Sequence, residues 1–381
     1  MRWPSRIRSA SVALFVAALV LTFPVGGAVG RTTTAMLQRE LDRLVAAPGG
    51  PVGAIATLYR NGRVTVVRAG RANATRPGAP RLGDHMRIAS VSKAFNGAVI
   101  LHLAQEGRLA LDATIGQRLP GLPAAWSAVT VREMLGHTGG LPDYTQSAAA
   151  REHVMTNPRG HVSPSQLIGW VRKDRLRFPP GTRYEYSNTD NIVLGLIAER
   201  VTGESYGRLL SNIVFSPAGL SQTTFPTRQI ALPAPFIHGY QVEPGKAPID
   251  LTTFLNPSGA WASGAIVSTP RDLGAFVRAE SRGQFFGAAQ RREQFRFVPG
   301  SSDPPGPGTN SAGLGLFRYR TPCGTVYGHT GSFPGYAQWA AASADGRRSV
   351  TTSLNIAPPT GALLGQLRSF QASAVCTVLG K

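Results

Sequence analysis

Lysine is scarce in this sequence. Only four lysines occur among the 381 residues, although Lys and Arg together number 40. Cysteine is scarcer still, because Cys323 and Cys376 are the only two. Two cysteines are too few for a structural zinc site, and no His-x-x-x-His or comparable cluster supplements them. The sequence therefore predicts neither a metal nor another cofactor.

Acidic residues are few as well. Asp and Glu number 20, which leaves a formal net charge of +20. The basic residues are spread along the chain and form no block interleaved with aromatics, so specific nucleic-acid recognition finds no support. A basic protein is attracted to polyanions, and anionic cell-wall polymers or membrane-surface anions are the candidate partners. A merely solvated basic surface is the alternative.

The first thirty residues carry the pattern of a secretory signal. Basic residues Arg2, Arg6 and Arg8 precede an apolar run from Val12 to Leu21, and small residues end at Gly30. The apolar run is shorter than the roughly 20 residues of a membrane-spanning helix, which disfavours the alternative of a retained anchor. We predict a secreted protein that begins near Arg31, with Cys323 and Cys376 paired in an oxidising compartment.

Strand-like and helix-like patterns alternate in blocks along the chain. Met36 to Ala47 has amphipathic helical spacing, and β-rich runs flank Asn61-Gly62, a strong hairpin signal. Helices and Pro/Gly-rich loops fill the middle, and further strand-like runs precede a last helix. The pattern predicts an α+β fold with an antiparallel sheet built from both chain ends, in a sheet lobe of about 31–111 and 249–381. Helices would flank this sheet, and a mostly helical lobe of about 112–248 would be inserted.

One of the four lysines lies in an apolar run, three residues after Ser90. Residues at this spacing share a helix face, so an amine at Lys93 could accept the hydroxyl proton of Ser90 near a helix start. Burial would lower the pKa of this lysine and supply the neutral form. The alternatives are a helix-capping serine and a surface lysine, because a Ser-x-x-Lys spacing also arises by accident.

Two further patterns supply groups for the same chemistry. Tyr186 and Asn188 would share one side of an extended segment, although a loop tyrosine with a capping asparagine is equally compatible with the pattern. The tripeptide His-Thr-Gly occurs twice. The copy at His137 lies in a glycine-rich turn and is expected to brace a loop. The copy at His329 follows a β-rich run, where an exposed strand could pair with an extended substrate and Gly331 would permit close approach.

Together and in this order, SVSK at Ser90, YSN at Tyr186 and HTG at His329 resemble the penicillin-recognising serine hydrolases. The chain is most similar to secreted serine-type D-alanyl-D-alanine carboxypeptidases, relatives of class C β-lactamases, and the resemblance covers nearly all of the chain after the signal. It implies a β-lactamase/transpeptidase-like catalytic domain over 31–381.

The resemblance also implies roles for individual residues. Ser90 would be acylated, Lys93 and Tyr186 would transfer its proton, and Asn188 would hold the acyl-side amide. The remaining substrate-binding residues implied are His329, Thr330, Gly331, Ser332 and Trp261, with backbone N–H groups of Ser90 and Ser332 as the oxyanion hole. For Trp261, a core position is the alternative.

The strand before this triad departs from the carboxypeptidase pattern. At the position where those enzymes carry a basic residue for the substrate carboxylate, the best register gives Phe317, with Arg318 and Arg320 on the opposite face. A one-residue shift would restore an arginine. The leading hypothesis is a carboxypeptidase acting on peptidoglycan stem peptides, expected as a monomer and acylated by β-lactams. An esterase, a β-lactamase and a non-catalytic wall-binding protein are the alternatives.

Overall fold

Strands from both ends of the chain form one antiparallel sheet of seven strands. The computed structural model describes residues 34–301 and 306–381, so the predicted signal segment lies outside the described residues. The strands are β1 Gly53–Arg60, β2 Arg63–Gly70, β3 Met86–Arg87, β4 Tyr240–Gln241, β5 Ile249–Asp250, β6 Val267–Ser268, β7 Thr309–Ala312, β8 Phe317–Thr321, β9 Gly324–Phe333, β10 Tyr336–Ala342 and β11 Arg348–Leu354. The sheet has the order β2-β1-β11-β10-β9-β8-β7, and β3–β6 and β4–β5 form two short pairs.

The first hairpin has the turn that its sequence predicts. Asn61 and Gly62 both have positive φ, 52° and 77°, as a two-residue turn of type I′ requires. The strands continue directly from this turn, because Arg60 pairs with Arg63. On its other side β1 pairs with β11, which joins the two ends of the chain in one sheet.

Helices fill the middle of the chain and cover the sheet. They are α1 Thr34–Ala46, α2 Ser92–Gln105, α3 Ile115–Arg118, α4 Val131–Leu135, α5 Ala148–Thr156, α6 Pro164–Gly169, α7 Asn188–Thr202, α8 Tyr206–Leu209, α9 Trp261–Gly264, α10 Pro270–Ser281, α11 Ala288–Gln294 and α12 Gly361–Leu379. Within the described residues, no helix is long and apolar enough to cross a membrane. Between 112 and 248 the described elements are helical except for β4, as predicted.

The two faces of the sheet bury separate apolar clusters. On one face, Leu37, Leu41 and Leu44 of α1 share a buried stripe that packs with α12 against the sheet. On the other face α10 packs against β10 and β11, and the buried α2 packs against α7 and α9. The predicted α+β class is therefore confirmed, whereas the described residues form one compact unit and the lobe boundaries stay a prediction.

The two cysteines form the predicted bridge. The disulfide joins Cys323, in the turn between β8 and β9, to Cys376 near the end of α12. Both cysteines are buried. The bridge therefore connects α12 to the turn of the β8–β9 pair, and β9 leads into the candidate site.

Candidate active site

Ser90 lies in a tight turn that leads into α2. A 3₁₀ turn spans Ala89–Val91, and Ala89 has a φ of +51°, a conformation that non-glycine residues rarely adopt. The helix itself begins at Ser92, and its capping residue is Val91. Ser90 therefore does not cap α2, and its hydroxyl is within reach of Lys93.

Lys93 is buried, unlike the other three lysines. Its side chain is 1% exposed, and Nζ lies 3.0 Å from Ser90 Oγ, 2.8 Å from Asn188 Oδ1 and 2.8 Å from the carbonyl oxygen of Ser263. Burial lowers the pKa of Lys93 to about 7, against the opposing attraction of Asp143 and Asp190. At neutral pH a large fraction of this amine is therefore unprotonated.

The partners of Lys93 fix the direction of its lone pair. A neutral amine has two N–H donors and one lone pair, whereas an ammonium has three donors. Asn188 Oδ1 and the Ser263 carbonyl oxygen can only accept, so they take both N–H groups of the neutral amine. The lone pair then points at Ser90 Oγ, which is the geometry of a general base.

Tyr186 lies over the same amine and is supported from behind. Lys93 Nζ is 5.0 Å from the centre of the Tyr186 ring. The centres of the Tyr186 and His137 rings are 4.4 Å apart. His137 is buried, and its Nδ1 lies 2.7 Å from Asp190 Oδ2 at the start of α7. Burial lowers the pKa of His137 and raises that of Asp190. The first His-Thr-Gly copy thus braces the tyrosine segment.

The second copy lies on β9 beside Ser90. His329 is buried, and its Nδ1–H donates to the carbonyl oxygen of Thr330 over 2.6 Å. Burial lowers the pKa of His329 to about 3, and the positive charge of Lys93 acts in the same direction. His329 is consequently neutral in the physiological range as long as no anion lies beside it.

The far half of β9 has a free edge. Strand β8 pairs with β9 only as far as Gly328, and no described strand continues the pairing along 329–333 on that side. Gly331 lies against the Ser90 turn, because a Cβ at this position would come within 2.3 Å of the carbonyl oxygen of Ile88. Thr330 and Ser332 line the open cleft along this edge.

The register of β8 places Phe317 at the position where the carboxypeptidase pattern has a basic residue. Phe317 pairs with Gly328, and its ring meets the His329 ring edge-on at 5.1 Å. The guanidinium of Arg318 lies over Phe297, 4.2 Å from the ring centre, and Arg320 is exposed. The one-residue shift that would restore an arginine does not occur.

A mostly apolar cleft of about 640 Å³ opens above Ser90. Its walls include Tyr144, Trp170, Tyr186, Asn188, Leu255 and Phe333. Trp261 is not part of this lining, which corrects the expectation for that residue. Its indole packs in the core against Tyr206 and Phe225, and the backbone at Trp261 has a φ of +32°.

The Beta-lactamase family model matches residues 41–370, and this range contains every residue of the site. The chain belongs to the Beta-lactamase family. It is accordingly a serine hydrolase of this family, with Ser90 and Lys93 placed for acyl transfer.

Solved structures of similar proteins support the same assignment for this Beta-lactamase family member. A D-stereospecific amidohydrolase from Streptomyces sp. is 31% identical with a TM-score of 0.76, over 85% of this chain and 95% of that one. D-amino acid amidase from Ochrobactrum anthropi SV3 is 26% identical with a TM-score of 0.77, over 90% and 96% of the two chains.

Curated relatives of this family member match over shorter ranges. Penicillin-binding protein 4* of Bacillus subtilis is 27% identical over 69% of this chain and 59% of its own length. Protein flp of Staphylococcus aureus is 29% identical over 49% of this chain and 38% of its own length. The chain therefore spans about two fifths to three fifths of the length of these curated relatives.

Three parts of the site of this Beta-lactamase family member were missed in the sequence. They are Asp143, Asp190 and the carbonyl oxygen of Ser263, which touch Asn188, His137 and Lys93 respectively. Asp143 lies three residues after the His-Thr-Gly-Gly turn in GLPDY, and this proximity was the one available signal. The carbonyl of Ser263 has no side-chain signature and could be found only from the fold.

Proposed function

We propose that this serine hydrolase cleaves small amides or esters whose leaving group carries no carboxylate. The Lys93 lone pair takes the Ser90 proton, and Ser90 Oγ attacks the substrate carbonyl carbon. The Lys93 ammonium then gives this proton to the amine or alcohol, which leaves as the C–N or C–O bond breaks and the acyl-enzyme remains. Water then attacks the ester carbonyl and gives a proton to the Lys93 amine, which passes it to Ser90 Oγ as the bond between Oγ and the acyl carbon breaks and the acid is released.

One observation carries this choice of substrate. Beside Thr330, the His329 side chain is neutral, Phe317 replaces the expected basic residue, and Arg318 is directed to Phe297. A carboxylate buried there would lack a cationic partner, and such a partner contributes about 1.5 to 3 kcal/mol. The names of the amidohydrolase and the amidase among the similar structures agree with an amide substrate.

A D-Ala-D-Ala carboxypeptidase is the second candidate. The unpaired edge of β9 suits an extended peptide, and one curated relative is named a penicillin-binding protein. With this candidate we also propose what the sequence predicted, namely export, action on peptidoglycan peptides, and acylation by β-lactams. Anionic cell-wall polymers and a monomeric state belong to the same set of proposals.

Paired substrates distinguish the two candidates. The experiment compares kcat/KM for an acyl-D-Ala-D-Ala peptide, its methyl ester and D-phenylalanine amide, with Ser90→Ala as the control. We expect the two substrates without a carboxylate to be preferred over the free acid by about tenfold or more, the factor that corresponds to ~1.4 kcal/mol. Preference for the free acid would favour the carboxypeptidase, and activity that survives Ser90→Ala would overturn the mechanism.

A further inference from the structure

We propose that Asp143 is a positioning residue that directs the Lys93 lone pair at Ser90 by fixing the side-chain amide of Asn188. The inference rests on the acyl transfer by Ser90 proposed above. It adds a residue that neither touches the reacting atoms nor was selected from the sequence.

Asp143 contacts the amide nitrogen of Asn188. Asn188 Nδ2 donates to Asp143 Oδ2 over 2.9 Å, while Asn188 Oδ1 accepts from Lys93 Nζ over 2.8 Å. The amide of Asn188 thus lies between an anion on one side and the catalytic amine on the other. Its two ends are chemically different, so its orientation decides what Lys93 meets.

The carboxylate permits only one orientation. An ionised carboxylate has no hydrogen to donate, and the amide must therefore turn its NH₂ group to Asp143 and its oxygen to Lys93. The reversed amide would place two acceptors against each other at Asp143. It would also present a donor to Lys93, and the lone pair could then accept from Asn188 instead of from Ser90.

The carboxylate is itself held in place. Its other oxygen, Oδ1, accepts from the backbone N–H of Thr145 over 3.0 Å and from Thr145 Oγ1 over 2.9 Å. These bonds cap the 3₁₀ turn Tyr144–Gln146, so Oδ2 keeps a fixed direction. The negative charge of Asp143 also raises the pKa of Lys93 and partly offsets the effect of burial.

Asp143→Asn tests the orientation with little change of shape. The oxygen of the new amide must stay with the N–H of Thr145, so its NH₂ group would face Asn188 and force that amide to reverse. We expect the rate of Ser90 acylation by an activated acyl ester, p-nitrophenyl acetate, to fall about tenfold to a hundredfold, since general-base catalysis contributes 10²–10⁴-fold. Asp174→Asn, at an exposed position of the helical segment, is the matched control and should acylate like the wild type.

The pH dependence separates positioning from mere support of the loop. Asp143→Asn removes an anion near Lys93, so the pKa of Lys93 and the acidic midpoint of the acylation profile should both move to lower pH. Lysine labelled with ¹³C at Cε gives only four signals in this chain, which makes the Lys93 titration directly visible by NMR. A lower rate with an unchanged midpoint and an unchanged Lys93 titration would overturn the proposal.

A swap of the two side chains provides the second test. In Asp143→Asn/Asn188→Asp, the carboxylate at 188 again offers only acceptors to Lys93, and it raises the pKa of that amine by direct contact. We expect the double variant to acylate at least about tenfold faster than Asp143→Asn. This gain should appear only at pH values above the acidic midpoint of the wild-type acylation profile. No gain over Asp143→Asn would overturn the proposal. Absence of labelling in the wild type would instead reject acyl transfer by Ser90 itself.

Discussion

At the scale of single residues, the site depends on a buried amine whose positive charge is only partly stabilised by nearby carboxylates. Lys93 is buried among acceptors, and its ammonium form loses more from desolvation than it gains from Asp143 and Asp190. The same burial that weakens the ammonium produces the free amine that catalysis needs. A residue that is unfavourable for folding is therefore useful for acyl transfer.

Lys93→Met should abolish acylation and stabilise the fold. The pKa of Lys93 is about 7 in the folded state, below its ordinary value of 10.5, so the unfolded state binds more protons between these pH values. The wild type therefore gains stability as pH rises from about 7 to 10.5, and at pH 7 it carries the full cost of burying the amine. Thermal unfolding at pH 7 and pH 10 should show a higher Tm for the variant at pH 7 and a smaller difference at pH 10.

The same lysine sets the acidic limb of the activity. Because the neutral amine is the base, kcat/KM should fall as pH drops through about 7. A profile measured from pH 5 to 9 on a neutral substrate tests this expectation, since the substrate does not titrate there. A midpoint near pH 5 would contradict the assignment of Lys93 as the base.

Glu280 carries a second buried charge, far from the chemistry. Burial raises its pKa to about 7, and Gln294 Nε2 donates to its carboxylate over 3.1 Å. A raised acid pKa means that the folded state binds the extra proton, so stability falls as pH rises from about 4.5 to about 7. Glu280→Gln keeps an acceptor for Gln294 and should remove this loss.

Urea unfolding at pH 4.5 and pH 8 measures the effect of Glu280→Gln. The free energy of unfolding of the variant should exceed that of the wild type at pH 8, and the two should converge at the lower pH. Differences of equal size at both pH values would show that Glu280 is not the titrating group.

At the scale of elements, the site depends on the close packing of β9 against the turn before α2. Gly331→Ala places a methyl group 2.3 Å from the carbonyl oxygen of Ile88 and must move the strand or the turn. We expect acylation to fall at least about tenfold, because small displacements of reacting groups cost up to about a hundredfold. The decisive measurement is the acylation rate of the folded variant with p-nitrophenyl acetate.

Gly365→Ala is the matched control for that change. Gly365 lies in α12 with open space around its Cα, and alanine favours a helix by about 0.5–1 kcal/mol. The control should keep the acylation rate and slightly raise stability. A wild-type acylation rate in Gly331→Ala would show that close packing of this strand is not required.

The elements also show how far the sequence could be interpreted. Local patterns predicted the hairpin at Asn61-Gly62, the strands at the chain ends and the helical character of 112–248, because turn residues and apolar spacing act over short distances. Ser90, Lys93, Tyr186 and Asn188 could be predicted as site residues for a similar reason. They lie in two short motifs, and the family resemblance linked these motifs to one site. Strand β7 was missed, since the turn-like sequence before it gives no strand signal.

Long-range contacts were beyond local patterns. His137 meets Asp190 from 53 residues away, and Asp143 meets Asn188 from 45 residues away. Trp261 has a positive φ that a tryptophan seldom adopts. The sequence was equally compatible with a position of this residue in the cleft and with one in the core. In each case the decisive partner is brought in by the packing of α7 against neighbouring elements, which only the assembled fold reveals.

At the scale of the whole molecule, the disulfide connects α12 to the turn between β8 and β9. It closes a loop with a sequence separation of 53, and the chain-entropy relation assigns about 4 kcal/mol to a loop of this length. Cys323→Ser/Cys376→Ser should lower the free energy of unfolding by a few kcal/mol, while acylation by the folded protein persists because neither cysteine lines the cleft.

Urea unfolding with and without reductant is the test for the bridge. The reduced wild type should match the double serine variant, and the oxidised wild type should be more stable than both. Identical curves for all three would contradict a stabilising disulfide.

The position of β1 between β2 and β11 has a consequence for the order of synthesis. The hairpin of β1 and β2 offers an unpaired edge that is covered only when residues 348–354 have been made, so the sheet can close only after β11 has been synthesised. Closure of this sheet must therefore follow the synthesis of β11. Until β11 has been made, the free edge of β1 can pair with a strand of another chain, which is the usual risk of an unpaired edge.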